Sequence, residues 1–218
     1  MKTFLLICVF ATIFSSCKKS SENVKPSPTI VYAHKLQTED MTWYVGSSGA
    51  FAYKFDQGHY SIYTNSTNYT YFASAPFGTI NYPYSVQVDA RINLEDITRS
   101  AAAGIVFNRI DVNDYSVIAI SSVGTYYVYT YNNGTFTDIV KATFSPYIKT
   151  GSNAKNTITL NQNKSSIDVL INYIKVGTYS LSMPTGTYIT VGPYIATYSD
   201  NYYTPVTGLF NNFIIAKQ

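Results

Sequence analysis

Three tyrosines at alternate positions, Tyr127, Tyr129 and Tyr131, are the most chemically suggestive residues of the chain. On an extended strand successive side chains point to opposite faces, so these rings share one face while Tyr126, Val128 and Thr130 share the other. Such a row offers flat apolar surface for the CH-rich face of a pyranose, with hydroxyls to bond the sugar's own. The same row can instead fill a core, since tyrosines pack well across strands. Aromatic residues also sit in segments of irregular pattern, where loops meet ligands. These are Trp43 and the run Tyr198, Ser199, Asp200, Asn201, Tyr202 and Tyr203, which sets rings beside hydrogen-bonding side chains. Together with the tyrosine row they form the candidate ligand-binding set, read as a site for a polysaccharide or oligosaccharide.

Other chemistries are thinly represented. Glu39-Asp40 and Glu95-Asp96 are adjacent pairs whose carboxylates would point to opposite faces of a strand, whereas glycoside hydrolysis needs two carboxylates flanking one bond. Asp89 and Asp168 are far apart in sequence and would have to be brought together by the fold. His34 and His59 make no metal pair and no relay with an identifiable nucleophile. Gly46-Ser47-Ser48-Gly49 lacks the spacing of a nucleophile elbow, and no phosphate-cradling glycine loop occurs. The motif inventory therefore points away from catalysis. Asp111, Asn113 and Asp114 carry oxygen donors of the type calcium takes, and are the candidate metal ligands. As an acidic turn between two strands they need no ion, and no other cofactor is indicated.

The elements that must position these residues are strands. Of 218 residues, 22 are Tyr and 12 Phe, only 12% are charged, and Thr, Ser, Asn and Val supply much of the rest. These residues favour strands and turns. In Tyr84 to Ile92, Val86, Val88, Ala90 and Ile92 fall on one face and Ser85, Gln87, Asp89 and Arg91 on the other, as in a half-buried antiparallel strand. Similar runs span 51–55, 59–64, 69–73, 104–109, 116–121, 125–131, 156–161, 166–171, 188–194 and 208–215. Turn signals separate them, among them Asp56-Gln57-Gly58 and Asn132-Asn133-Gly134. The best helical candidate, Leu94 to Ala103, covers only about two turns. Eleven short strands in one domain predict an all-β, two-sheet antiparallel sandwich.

The N-terminus places that domain. Lys2, an apolar run from Phe4 to Phe14 and two serines precede Cys17, and the run is shorter than the about 20 residues a bilayer-spanning helix requires. The tetrad Phe14-Ser15-Ser16-Cys17 resembles the bacterial lipoprotein lipobox. That resemblance implies a signal peptide over 1–16, cleavage before Cys17, lipidation of Cys17, and a protein held at an extracytoplasmic membrane face, expected to be the outer membrane. The other cysteine, Cys8, would leave with the signal, so the mature chain has no disulfide and no thiolate chemistry. Residues 17–37 are polar with Pro26 and Pro28 and read as a tether, with a first edge strand over Thr29 to Tyr32 as the alternative. The remaining 38–218 fit one domain. A net charge of +3 without Lys/Arg clusters beyond Lys18-Lys19 argues against nucleic acid as a partner.

A family resemblance rests on specific residues. Ala103 to Asn108, Asp111 to Tyr115, Val117 to Ile120 and Gly124 to Val128 resemble the hairpin series of concanavalin A-like jelly rolls of laminin G type. The likeness continues through Thr150-Gly151, Asn156 to Leu160, Ser166 to Asn172 with Val176-Gly177, and Gly208 to Ile215. Asp56 to Tyr60 resembles a strand of the same proteins, including the family of unknown function 1080, also called 3-keto-disaccharide hydrolase. One departure is Asn172-Tyr173, where relatives often have Asn-Gly. The resemblance implies a jelly-roll sandwich that binds carbohydrate or protein, often with calcium, and in some branches hydrolyses glycosides. The laminarinase-like branch carries Glu-x-Asp-x-x-Glu on one strand, which this chain lacks. The leading expectation is non-catalytic carbohydrate binding. The alternatives are a hydrolase of the 3-keto-disaccharide type and an adhesion or structural lipoprotein with envelope protein partners.

Overall fold

A computed structural model describes residues 28–96, 100–184, 189–198 and 205–218. Fifteen strands follow in chain order: β1 (Thr29–His34), β2 (Gly46–Ser47), β3 (Phe51–Asp56), β4 (His59–Thr64), β5 (Thr70–Phe72), β6 (Tyr84–Leu94), β7 (Ala101–Arg109) and β8 (Asp114–Ser121). Then come β9 (Thr125–Asn132), β10 (Thr135–Phe144), β11 (Asn156–Gln162), β12 (Ser166–Ile171), β13 (Ile174–Ser180), β14 (Thr190–Thr197) and β15 (Val206–Lys217). They form two antiparallel sheets. The larger runs β13-β12-β11-β6-β15-β4-β3-β2, with β1 also on β15, and the smaller runs β10-β9-β8-β7-β14-β5. β15 changes neighbour partway: Val206 to Phe210 pair with β4, and Phe213 to Lys217 with β1. The change falls at a bulge where Asn212 has φ 50°.

Alternation explains the sandwich. Val86, Val88, Ala90 and Ile92 of β6 are buried and pack with Ala103, Ile105 and Phe107 of β7, Ile118 of β8, Val128 of β9 and Ile195 of β14. Each such Val or Ile contributes about 1.5–3 kcal/mol on leaving water. The turns obey their chemistry as well. Gln57-Gly58 and Asn133-Gly134 both take positive φ at the two central residues, joining β3 to β4 and β9 to β10 as two-residue hairpins.

The sequence-based boundaries need correction in places. β1 pairs with β15 along Thr29 to His34, and Leu36 is wholly buried. The folded unit therefore includes residues 29–36: the edge-strand alternative over Thr29 to Tyr32 holds, with the strand running on to His34, and the tether reading is corrected there. β1, β2, β10 and β13 add strands to the eleven expected. No helix forms among the described residues: Leu94 ends β6 and Ala101 opens β7. The signal segment 1–16 and Cys17 lie outside the described residues.

Candidate functional site

The outer face of the six-stranded sheet carries a trough built by register. Phe72, Tyr194, Gly104, Ala119 and Tyr127 pair successively across β5, β14, β7, β8 and β9, so all five point to one face. Tyr194 and Tyr127 stand three strands apart, about 14 Å between backbones, and the small Gly104 and Ala119 leave room for their rings to lean together. Their hydroxyls and that of Tyr198 interact. On one side the neighbouring row is small throughout, with Ala196, Ala102 and Ser121 in register beside Thr70 and Thr125. On the other side come Val106, Val117 and Tyr129, then Tyr115, Tyr131 and Phe136. Small residues along one flank and rings along the other leave a trough of about 590 Å³.

The rings are in mutual contact. Tyr127 stacks beside Tyr129 at 6.0 Å, Tyr129 lies 4.7 Å from Phe136, and Tyr115 lies 5.3 Å from Tyr131. The hydroxyls of Tyr129 and Tyr194 are 3.1 Å apart. Burial pushes the Tyr127, Tyr129 and Tyr194 hydroxyls well above the ordinary phenol range, with the neighbouring tyrosines as a further influence. They remain neutral donors and acceptors at physiological pH. Asp138 is the one carboxylate among the described lining residues.

The structure thus brings Tyr127, Tyr129, Tyr131 and Tyr198 together in one trough. Tyr115, Phe136 and Tyr194 were not singled out from the sequence; their alignment with the row follows only from cross-strand register. Trp43 is a correction. It is 2% exposed, packs 5.2 Å from Tyr60 and 5.6 Å from Phe213, and donates its indole N–H to the Tyr32 hydroxyl at 3.0 Å. It is a core residue that ties its loop to β1 and β15, and its ring is closed to a surface ligand. Asp200, Asn201, Tyr202 and Tyr203 lie outside the described residues.

The remaining candidates have structural partners. Asp111 Oδ1 accepts the amides of Asn113 (2.6 Å) and Asp114 (2.9 Å), and Asp114 Oδ1 accepts that of Asn133 (3.1 Å). These carboxylates stabilise turns, an arrangement unlike the six to eight converging oxygens that calcium takes. Asp89 accepts from Thr157 (2.6 Å), Asn212 (2.8 Å) and Lys155 (3.3 Å). Burial pushes its carboxyl up, but these bonds and the Lys155 charge outweigh it and hold the carboxyl below its usual value. Asp168 pairs with Lys175 at 2.8 Å. In register, Asp89 opposes Thr157 while Asp168 opposes Asn161, two strands over and four residues along, roughly 16 Å away. These two carboxylates do not meet.

His59 belongs to the outer face of the larger sheet. Its Nδ1 contacts Asn211 Oδ1, whose amide nitrogen donates to Gly58 O at 2.8 Å, so Nδ1 carries the proton and Nε2 accepts from Arg91 at 3.1 Å. A basin of about 820 Å³ surrounds them, in which Lys54 is paired with Asp56 at 2.6 Å.

No protein-family model matches the chain, and no curated protein matches it. Solved structures do. The carbohydrate-binding module CBM66 from Bacillus subtilis aligns with a TM-score of 0.56 at 12% identity, over 81% of this chain and 96% of that one. The catalytic domain of an endo-1,3-β-glucanase (laminarinase) from Thermotoga petrophila gives 0.59 at 8%, over 88% and 98%. The Emp47p carbohydrate recognition domain gives 0.60 at 11%, over 87% and 97%. The chain therefore has the concanavalin A-like jelly-roll fold that its hairpin residues resemble.

Proposed function

We propose that this protein is a carbohydrate-binding module that holds a polysaccharide or oligosaccharide in the tyrosine trough without cleaving it. The observation that carries this reading is the trough itself, in which the partly exposed rings of Tyr127, Tyr131 and Tyr198 stand beside a strip of small residues, with tyrosine hydroxyls among its polar groups. Rings supply stacking faces and the hydroxyls supply orientation, which is the division of labour a sugar site needs. The solved neighbours named as a carbohydrate-binding module and a carbohydrate recognition domain support the same reading. The N-terminal lipobox resemblance adds the location: a lipid anchor at Cys17, facing away from the cytoplasm, with the outer membrane as the proposed site. There the module would hold glycan near envelope partners.

The test is affinity electrophoresis of the purified full-length protein in gels containing plant, algal and host polysaccharides. At least one glycan should retard the wild type, and Tyr127→Ala and Tyr131→Ala should each weaken binding roughly tenfold or more, about 1.4 kcal/mol. Their melting temperatures report whether the fold survives. A panel without retardation, or retardation that neither variant changes, would overturn the proposal.

A further inference from the structure

Arg109 stands over Phe72 in an opening next to the trough, with one hydrogen-bonding group unmet. It closes β7, where the strand turns on Asn108, whose backbone is left-handed (φ 49°) and whose amide side chain bonds Tyr84 and Gln162 in the core. Phe107 points into the core, yet past this bulge the guanidinium of Arg109 lies 4.8 Å from the ring centre of Phe72, a member of the outer-face aromatic cluster. One guanidinium nitrogen donates to Ser74 Oγ. Nε is buried with no hydrogen-bond partner, the only such side-chain atom among the described residues. Buried donors are almost always satisfied by protein groups or ordered water, and this one has no protein partner.

Arg109 also has no salt-bridge partner among the described residues. Asp111 acts on it from a distance, with one carboxylate oxygen already taken by two backbone amides. Partial burial strips water from the guanidinium and pulls its proton affinity down, against the opposing pull of Asp111 and Tyr53. The residue lines an opening of about 580 Å³ together with Tyr44, Tyr53, Phe72 and Ser74. Phe72 links this opening to the trough, since its ring lies 5.3 Å from Tyr115. A ligand lying along the tyrosines reaches Arg109 by crossing one ring.

We propose that Arg109 anchors the carboxylate of an acidic sugar, a uronate, in a glycan whose neighbouring residues stack along the trough. The inference deepens the glycan-binding reading and rests on it. A planar carboxylate matches the two-donor edge of a guanidinium, and its charge answers a cation that has no counter-ion of its own. A neutral sugar offers neither.

Uronate-containing oligosaccharides, each paired with its carboxyl-reduced neutral form, separate the two claims by calorimetry on the full-length protein. The wild type should bind a uronate form at least tenfold tighter than its reduced partner, with the difference shrinking as salt rises. Arg109→Gln should abolish the difference while still binding the reduced form, and Arg109→Lys should restore part of it. Reduced forms bound as tightly as uronates would overturn the role of Arg109 and leave the trough reading standing. Tighter binding of sulfated glycans than of uronates would overturn the carboxylate assignment. Failure of every glycan to bind would remove both. If Arg109→Gln does not fold, Arg109→Lys with an undiminished uronate preference at high salt would still count against the proposal.

Discussion

Tyr173 holds a backbone conformation that its side chain does not favour. It is the second central residue of the β12–β13 hairpin, with φ 70° beside Asn172 at φ 51°, and its ring is 71% exposed. Asn172 suits the turn. Its Oδ1 accepts the Thr157 amide at 3.0 Å, and its Nδ2 donates to Tyr147 O at 2.7 Å and Asn156 Oδ1 at 2.9 Å. Tyr173 has no comparable compensation, and a left-handed residue with a Cβ costs about 1–2 kcal/mol. Glycine removes that cost while adding about 0.5–1 kcal/mol of lost unfolded-chain freedom. Tyr173→Gly should therefore stabilise the protein by about 0.5–1 kcal/mol, a rise of about 1–4 °C in Tm. A scanning calorimetry experiment showing a lower Tm would mean that the tyrosine ring contributes something its exposure hides.

The strands show which features a linear pattern reveals. β6 and β9 were legible because strict alternation separates core from outer face, and the hairpins at Gly58 and Gly134 because Gly supplies the positive φ the turn requires. β10 was not, since it is an edge strand with two register shifts and mostly exposed side chains, so neither face shows a continuous apolar row. Trp43 looked like a loop aromatic because burial by β1 depends on a strand at the far end of the sequence order, β15. The trough was half legible: the Tyr127 row is local, whereas Tyr194 reaches it through Gly104 and Ala119. That pairing makes Gly104 critical. A Cβ there would sit 2.0 Å from the Ile118 carbonyl oxygen and 2.6 Å from Ala119 Cα, both backbone atoms that cannot swing away. Gly104→Ala should force β7 from β8, cost more than about 3 kcal/mol, and loosen the trough floor. Urea unfolding checks this, and a midpoint equal to the wild type's would show that the sheet can absorb the methyl group.

At the scale of the whole molecule, the many buried tyrosines make stability sensitive to alkali. Burial pushes the Tyr53 hydroxyl up to about 12, helped by Tyr71 and Tyr44, and drives Tyr60, Tyr84, Tyr127, Tyr129, Tyr179 and Tyr194 upward from the same first cause. These groups span both sheets, so the effect belongs to the sandwich and not to the trough alone. Below the unfolded value near 10 every phenol is protonated in both states, and the shifts have no consequence for stability. Above it the unfolded chain releases protons that the folded chain retains. The unfolded state then binds fewer protons, and stability falls as pH rises from about 10 toward the folded values. Each group in that window removes up to about 1.4 kcal/mol per pH unit, enough in combination to exceed the about 5–15 kcal/mol that holds a typical domain. Urea midpoints should be level from pH 8 to about 9.5 and then drop steeply, with tyrosinate absorbance appearing together with loss of β-sheet circular dichroism. Tyrosinate forming in a chain that keeps its sheet signal would show instead that water reaches these hydroxyls without unfolding, which would argue for a sandwich that opens locally along the trough.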